Sequence, residues 1–83
     1  MSSAAADLTA VVRLLVKQPR SVAVETIEPS ESAGATELRL RVAVEDRGQV
    51  IGRRGRTLDA LRALLEVRGD AEGRSYEVEL PED

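Results

Sequence analysis

The chain has 83 residues, which is enough for one small domain and leaves no room for a second hydrophobic core. It contains no cysteine and no histidine, so thiol nucleophiles, imidazole bases, zinc fingers and haem ligation are excluded; we predict no enzyme activity, no cofactor and no metal site. Tyr76 is the one aromatic residue, which argues against modules that stack RNA bases on exposed rings. The formal net charge is -3.

Residues 1–6 are predicted to be a flexible N-terminus, residues 7–81 one domain, and residues 82–83 an acidic end. The start lacks the basic residues and long apolar stretch of a secretory signal, and no later apolar run reaches membrane-spanning length. The sequence therefore predicts a cytoplasmic protein without membrane contact.

The first element is an amphipathic helix predicted from Asp7 to Gln18 and ended by Pro19. Its apolar residues follow the helical spacing of three and four: Leu8, Val11, Val12 and Leu15. A short strand is predicted from Ser21 to Ile27, because Val22 and Val24 alternate with Ala23 and Glu25. Ile27 falls out of phase, which predicts a bulge or an early end.

Residues 28–36, with Pro29, two serines and Gly34, are predicted to connect two strands. The second strand has the clearest alternation in the chain, with four apolar residues directed to the core: Leu38, Leu40, Val42 and Val44. Its polar face carries Arg39 and Arg41. These two arginines are either simply solvated or an extension of a nucleic-acid path.

From residue 45 to residue 66 the period changes to that of helices, which predicts a helix, a turn and a second helix with Leu61, Leu64 and Leu65 in the core. Residues 69–73 are predicted to form a polar turn. A final strand follows, in which Tyr76, Val78 and Leu80 alternate with polar residues before Pro81. The predicted order is α-β-β-α-α-β, an α+β domain with helices on one face of a three-stranded sheet.

Two glycines, Gly52 and Gly55, stand three residues apart at the junction of the two predicted helices. Glycine permits backbone angles that other residues resist and lets a second backbone approach closely. Gly55 opens a helix whose first N–H groups are free for a phosphate oxygen. Arg53 and Arg54 at the tip and Arg56 behind it add charge-assisted hydrogen bonds to phosphate.

Val50, Ile51 and Leu58 flank this turn and have two interpretations. They either line a groove in which unstacked bases rest, or they pack into the core. Residues 47–62 carry five basic side chains and one acidic side chain, whereas residues 1–46 and 63–83 are both net acidic. The segment is thus a local positive island that can attract phosphate.

Two other glycine motifs do not fit. A P-loop requires a glycine where Val50 stands and a lysine where Arg56 stands. The dinucleotide fingerprint G-x-G-x-x-G fails because Val50 again occupies the position of its first glycine. The remaining alternative is a tight helix-helix connection with solvent-facing arginines.

The run Val50-Ile51-Gly52-Arg53-Arg54-Gly55, followed by an apolar helix, resembles the V-I-G-x-x-G signature of the KH family. Length, a starting helix and the run from Gly48 to Arg62 are similar to the small bacterial single-KH RNA-binding proteins of the KhpA type. The resemblance covers roughly residues 8–80 and implies the type II KH topology.

By position, the resemblance implies that Gly52 and Gly55 shape a loop that holds about four nucleotides of single-stranded RNA or DNA. It also implies that Arg53 and Arg54 meet the phosphates and that Ile51 helps to floor the groove. Proteins of this type act in RNA-level regulation of cell division and envelope growth, as homodimers or with a larger KH-containing RNA-binding protein. We expect a broad post-transcriptional regulator or RNA chaperone; a protein-interaction module and a factor in ribosome or rRNA maturation are the alternatives.

Overall fold

The computed structural model describes residues 3–31 and 34–82. Its helices and strands are, in chain order, α1 (Ala4–Arg13), β1 (Ala23–Ile27), β2 (Thr36–Arg41), α2 (Arg47–Ile51), α3 (Arg56–Glu72) and β3 (Tyr76–Glu79). Short 3-10 turns precede β1, α2 and α3. The predicted order α-β-β-α-α-β is confirmed.

The three strands form one mixed sheet in the order β1-β2-β3. β1 pairs antiparallel with β2, from Ala23 opposite Arg41 to Ile27 opposite Glu37, and β2 pairs parallel with β3. The β1–β2 register is regular over all five pairs, so the bulge or early end predicted at Ile27 is wrong. β1 extends through Ile27, the last residue predicted for it, because Ile27 is still paired with Glu37 of β2.

The core lies between the helices and one face of the sheet. Its buried apolar residues are Ala4, Leu8, Val12, Val22, Leu38, Leu40, Val42, Val50, Leu61, Leu65 and Val78. Three of the predicted core positions of this segment are buried: Leu38 and Leu40 in β2, and Val42 directly after it. Leu64 was also expected in the core, but 58% of its surface is exposed, because it lies on the helix face that turns away from the sheet.

Helix α1 begins and ends earlier than the sequence predicts. The Ser3 hydroxyl accepts a hydrogen bond from the Ala6 N–H at 3.0 Å, so the helix starts at Ala4 within the segment expected to be flexible. It ends at Arg13 instead of Gln18. The backbone N–H groups of Leu14 and Leu15 still donate to the Val11 and Val12 carbonyls, in a turn that ends the helix. The amides of Lys17 and Gln18, within the predicted last turn, are bound by a carboxylate from another segment, described below.

Two further boundaries differ from prediction. β2 ends at Arg41, and Val44 is 73% exposed in the 3-10 turn before α2. α3 continues through the predicted turn to Glu72, because Gly69 is a buried helical residue whose lack of a side chain makes room for the Arg74 carbonyl. Gly73, with φ of 71°, ends the helix.

Within the described residues, no helix is both long and apolar enough to cross a membrane.

Candidate nucleic-acid interface

The loop between α2 and α3 is a tight turn held by two backbone hydrogen bonds. The Gly52 N–H donates to the Gly48 carbonyl at 2.9 Å, which closes α2. The Gly55 N–H donates to the Gly52 carbonyl at 3.1 Å, which closes the 3-10 turn at residues 53–55. α3 starts at the next residue, so the turn leads directly into the helix N-terminus.

The two glycines of the loop are required for different reasons. Gly52 has φ of 78° and ψ of 172°, a conformation almost restricted to glycine, and a Cβ there would collide with the Thr57 side chain and lie 2.9 Å from the Thr57 nitrogen. Gly55 is left-handed with φ of 74°, but a Cβ there would meet no atom within 4 Å. Gly52 is therefore packed against α3, whereas Gly55 faces open space.

Three arginines surround this open side of the loop. Arg53, Arg54 and Arg56 are exposed, and their side chains form no hydrogen bond or ion pair with any residue in the described part of the chain. Arg54 itself has φ of 57°, which is unusual for a residue with a side chain. The loop thus presents three uncompensated cations beside the first backbone N–H groups of α3, where the helix dipole also favours an anion.

The apolar residues beside the loop separate into two groups. Val50 has no exposed surface, so its side chain belongs to the core and supports the loop from beneath without offering a contact surface. Ile51 is 36% exposed, and Leu58 is half-buried against the core. Of the three residues assigned to a groove, only Ile51 and Leu58 have side-chain surface available there.

Asp46 anchors the segment that leads into α2, a role that no local sequence pattern indicates. Its side chain is buried, and its two carboxylate oxygens accept hydrogen bonds from the backbone N–H groups of Lys17 and Gln18, both at 3.0 Å. The next residue, Arg47, donates to the carbonyls of Leu80 and Pro81 at 3.3 and 2.8 Å. α2 is thereby tied to the segment that follows α1 and to the segment that follows β3.

The structure divides the arginines of the positive island by role. Arg47 binds the two carbonyls just described, and Arg62 donates from Nε to the Val78 carbonyl at 3.1 Å. Both side chains hold the helices to the outer strand β3. Of the five arginines in residues 47–62, the three at the loop therefore have side chains available for an external anion. The candidate site is accordingly residues 51–58 and not the whole positive segment.

The open face of the sheet does not extend this positive surface. Arg39 donates to Glu37 on its own strand, and it lies in register between Glu25 of β1 and Glu79 of β3. Its charge is therefore surrounded by carboxylates. For Arg39 this arrangement favours the solvated alternative over a nucleic-acid path; Arg41 is exposed at the end of the same strand.

At the opposite end of α3, a polar network joins the helix to its neighbours. Glu72 accepts a hydrogen bond from the Tyr76 hydroxyl at 2.5 Å and one from Arg68 at 2.8 Å, and both lower the pKa of its carboxyl group. Arg68 also binds Asp7 of α1, and its pKa is raised by Glu72 and Asp7.

Among the described residues, no group of His, Cys, Asp or Glu side chains could hold a metal ion.

Comparison with known proteins agrees with this geometry. Residues 5–80 match the family described as KhpA/KhpB, KH domain. The chain belongs to the KhpA/KhpB KH-domain family. The mixed three-stranded sheet and the order of its elements are those predicted for the type II KH fold, so both the resemblance and the fold class are confirmed.

The relatives in this KH-domain family are similar over most of their length. The chain is 41% identical to the RNA-binding protein KhpA of Treponema pallidum, with 84% of each chain covered. It is 43% identical to the protein of the same name from Leifsonia xyli, covering 92% of this chain and 93% of the relative. For Listeria monocytogenes KhpA the identity is 32%, over 90% of this chain and 95% of the relative. No solved structure gives a significant match.

Proposed function

We propose that this chain binds single-stranded RNA and that the loop from Gly52 to Gly55 is the contact site. The observation that carries the proposal is a group of three exposed arginine side chains with no partner among the described residues, on a loop whose last glycine faces open space. The names of the relatives, RNA-binding proteins with 32% to 43% identity, support the same conclusion.

In this proposal the RNA backbone approaches the loop at Gly55, where no side chain stands in the way. Phosphate oxygens bind the guanidinium groups of Arg53, Arg54 and Arg56 and the first N–H groups of α3. Ile51 and Leu58 provide the apolar floor for bases turned away from solvent, and Val50 supports that floor from within the core. Gly52 keeps the turn closed against α3.

The absence of stacking rings sets the expected selectivity. The single aromatic residue, Tyr76, lies under the Arg74 guanidinium, 5.1 Å from the ring centroid, and hydrogen-bonds to the far end of α3. Phosphate contacts without aromatic stacking give weak binding with little base preference. We therefore expect a broad post-transcriptional regulator or RNA chaperone that gains avidity from a second copy or from a larger KH-containing partner.

A second candidate function is a protein-interaction module. It is favoured by the exposed apolar side chains of Leu64 and Val67 on α3, which are separate from the loop arginines. In that case pairing would be the primary activity and RNA contact would be incidental. A loop variant that loses RNA but keeps its protein partner would separate the two functions.

The direct test is a titration of fluorescently labelled single-stranded RNA with wild-type protein and the variant Arg53→Asp/Arg54→Asp at two salt concentrations. The glycines are unchanged, and circular dichroism checks the fold. The wild type should lose affinity with a salt slope of roughly −0.7 per phosphate contacted, and the variant should bind at least about tenfold more weakly with a smaller slope.

A matched control is Arg13→Asp/Arg20→Asp, which changes the net charge by the same amount at two exposed arginines outside the loop. If this control loses as much affinity as the loop variant, binding is a general charge effect and the loop is not the site. If the wild type does not bind RNA at all, the RNA proposal fails and protein pairing becomes the leading function.

A further inference from the structure

Thr57 carries a hydroxyl group without an internal partner beside the loop. It is the second residue of α3, directly after Arg56, and it is half-buried. Its Oγ1 atom forms no hydrogen bond with any residue in the described part of the chain. Among the described residues, no fully buried side-chain nitrogen or oxygen atom lacks a partner, so this oxygen must reach solvent. The hydroxyl is therefore available to an external group.

A threonine inside a helix often bonds to its own backbone, and the start of α3 prevents this at Thr57. Thr9 in α1 shows the ordinary pattern, because its Oγ1 donates to the Ala5 carbonyl, four residues earlier, at 2.7 Å. The carbonyl four residues before Thr57 belongs to Arg53, which lies in the 3-10 turn ahead of α3 and already accepts from the Arg56 N–H. The position of Thr57 thus leaves its hydroxyl without the usual acceptor.

The Thr57 side chain faces the loop. A Cβ on Gly52 would collide with the Thr57 hydroxyl and lie 2.7 Å from the Thr57 Cβ, so the two residues meet across the base of the turn. Because Gly52 has no side chain, the hydroxyl can occupy this space. Oγ1 is therefore held at the loop, next to the segment that carries the exposed side chains of Arg53 and Arg54.

The start of α3 also lacks a side-chain cap. Its N-cap residue is Gly55, and no side-chain hydrogen bond caps the helix there. Helices commonly satisfy one of their first N–H groups with the side-chain oxygen of Ser, Thr, Asp or Asn at this position. A phosphate oxygen at the start of α3 would therefore meet uncapped N–H groups and, beside them, the Thr57 hydroxyl as a neutral donor.

We propose that Thr57 is a further RNA contact, in which Oγ1 donates a hydrogen bond to a phosphate oxygen at the start of α3. The inference rests on the proposed function of the loop and adds a residue to that site. The loop arginines attract the RNA backbone through their charge, whereas Thr57 adds no charge and belongs to a helix packed against the core. The Thr57 hydroxyl thus fixes where one phosphate lies relative to α3.

The first test compares Thr57→Val with Thr57→Ser in titrations of labelled single-stranded RNA. Thr57→Val keeps the branched shape and loses the hydroxyl, and it should bind about fivefold to tenfold more weakly than the wild type. Thr57→Ser keeps the hydroxyl and should bind within about twofold of the wild type. Thr26→Val is the matched control, because it removes a hydroxyl from an exposed threonine of β1. Circular dichroism checks that each variant is folded.

The two variants also separate an RNA contact from a packing role against Gly52. If Thr57 acts only by packing, the loss of its methyl group in Thr57→Ser should weaken RNA binding, and Thr57→Val should bind like the wild type. That order of affinities would overturn the proposal. It would also be overturned if Thr26→Val lost as much affinity as Thr57→Val, since the loss would then not depend on the position of the hydroxyl.

The salt dependence separates this proposal from the function of the loop. A neutral hydroxyl displaces no counterion, so Thr57→Val should lower the affinity by the same factor at both salt concentrations, whereas Arg53→Asp/Arg54→Asp should also reduce the salt slope. If the arginine variant loses RNA and Thr57→Val does not, the loop is the site and the Thr57 contact is refuted. If the arginine variant keeps wild-type affinity, the loop proposal itself fails.

The last test identifies the RNA group that Thr57 contacts. A neutral methylphosphonate is placed in turn at each linkage of a short RNA, and wild type and Thr57→Val are titrated with the set. At one linkage the loss of affinity should be smaller for Thr57→Val than for the wild type. Equal losses at every linkage would overturn the phosphate contact. The effect of Thr57→Val should persist on single-stranded DNA of the same sequence; its disappearance would assign the contact to the ribose 2′-hydroxyl and contradict the proposal.

Discussion

The two loop glycines should respond very differently to alanine. Gly52→Ala places a Cβ against the Thr57 side chain and 2.9 Å from the Thr57 nitrogen, in a conformation almost restricted to glycine. Strain of about 1–3 kcal/mol is expected from the backbone conformation, and the collision adds to it because the nitrogen belongs to α3 and cannot move independently. Gly55→Ala meets no neighbour and should cost only about 1–2 kcal/mol for the left-handed conformation.

Urea unfolding followed by circular dichroism measures both costs in the same assay. We expect Gly52→Ala to lower the free energy of unfolding by at least about 1 kcal/mol more than Gly55→Ala does. Adding Thr57→Ala should recover part of the loss at Gly52 and none at Gly55. The loss of RNA affinity should follow the opposite order when both variants are folded. Gly55→Ala should weaken RNA binding more than Gly52→Ala, since its Cβ projects into the space assigned to the RNA backbone. If Gly52→Ala unfolds no more easily than Gly55→Ala, the packing of Gly52 against α3 is not as described.

Two predictions concern side chains outside the loop. Asp46→Ala should destabilise the fold by about 2–4 kcal/mol in urea unfolding, because it removes a buried side chain that accepts two part-buried backbone hydrogen bonds; an unchanged midpoint would contradict the anchoring role. Glu72→Gln should unfold at lower urea than the wild type at neutral pH, and the difference should shrink as the pH falls below the ordinary glutamate value near 4.5. The hydrogen bond from Tyr76 lowers the pKa of Glu72, so its stabilisation is present above that value and is lost as the carboxyl group is protonated. A pH-independent difference would refute this cause.

The type and order of the elements could be predicted because each has a local signal. The alternation through Leu38 and Leu40 identified β2, and the change to a helical period identified the segment after it. The errors lie at boundaries that tertiary contacts set. The predicted last turn of α1 is not helical, and the amides of Lys17 and Gln18 there bind Asp46, almost thirty residues further along the chain. α3 passes Gly69 because that glycine packs against the chain returning to β3.

The candidate site was partly predictable for the same reason. The spacing of the two glycines and the three arginines is local, and the structure places them consecutively, with Gly52 before the turn at residues 53–55 and Arg56 as the first residue of α3. The sequence could not tell Val50 from Ile51, which are chemically alike, because burial depends on which side of a five-residue helix meets the core. Nor could it separate the arginines of the loop from Arg47 and Arg62, whose acceptors are carbonyls of a distant strand.

The acidity of the chain is compatible with an RNA-binding loop because the charges are separated in space. The surrounding carboxylates balance Arg39 on the sheet, whereas the loop arginines have no internal partner in the described part of the chain. At physiological salt the Debye length is about 8 Å, which is short beside the 36 × 26 × 21 Å extents of the domain. In the proposed binding mode, an RNA phosphate at the loop would be attracted mainly by the nearest arginines, while the acidic surfaces would repel strands that approach elsewhere. A net charge of -3 would then restrict RNA to the surface around the loop and would not prevent binding there.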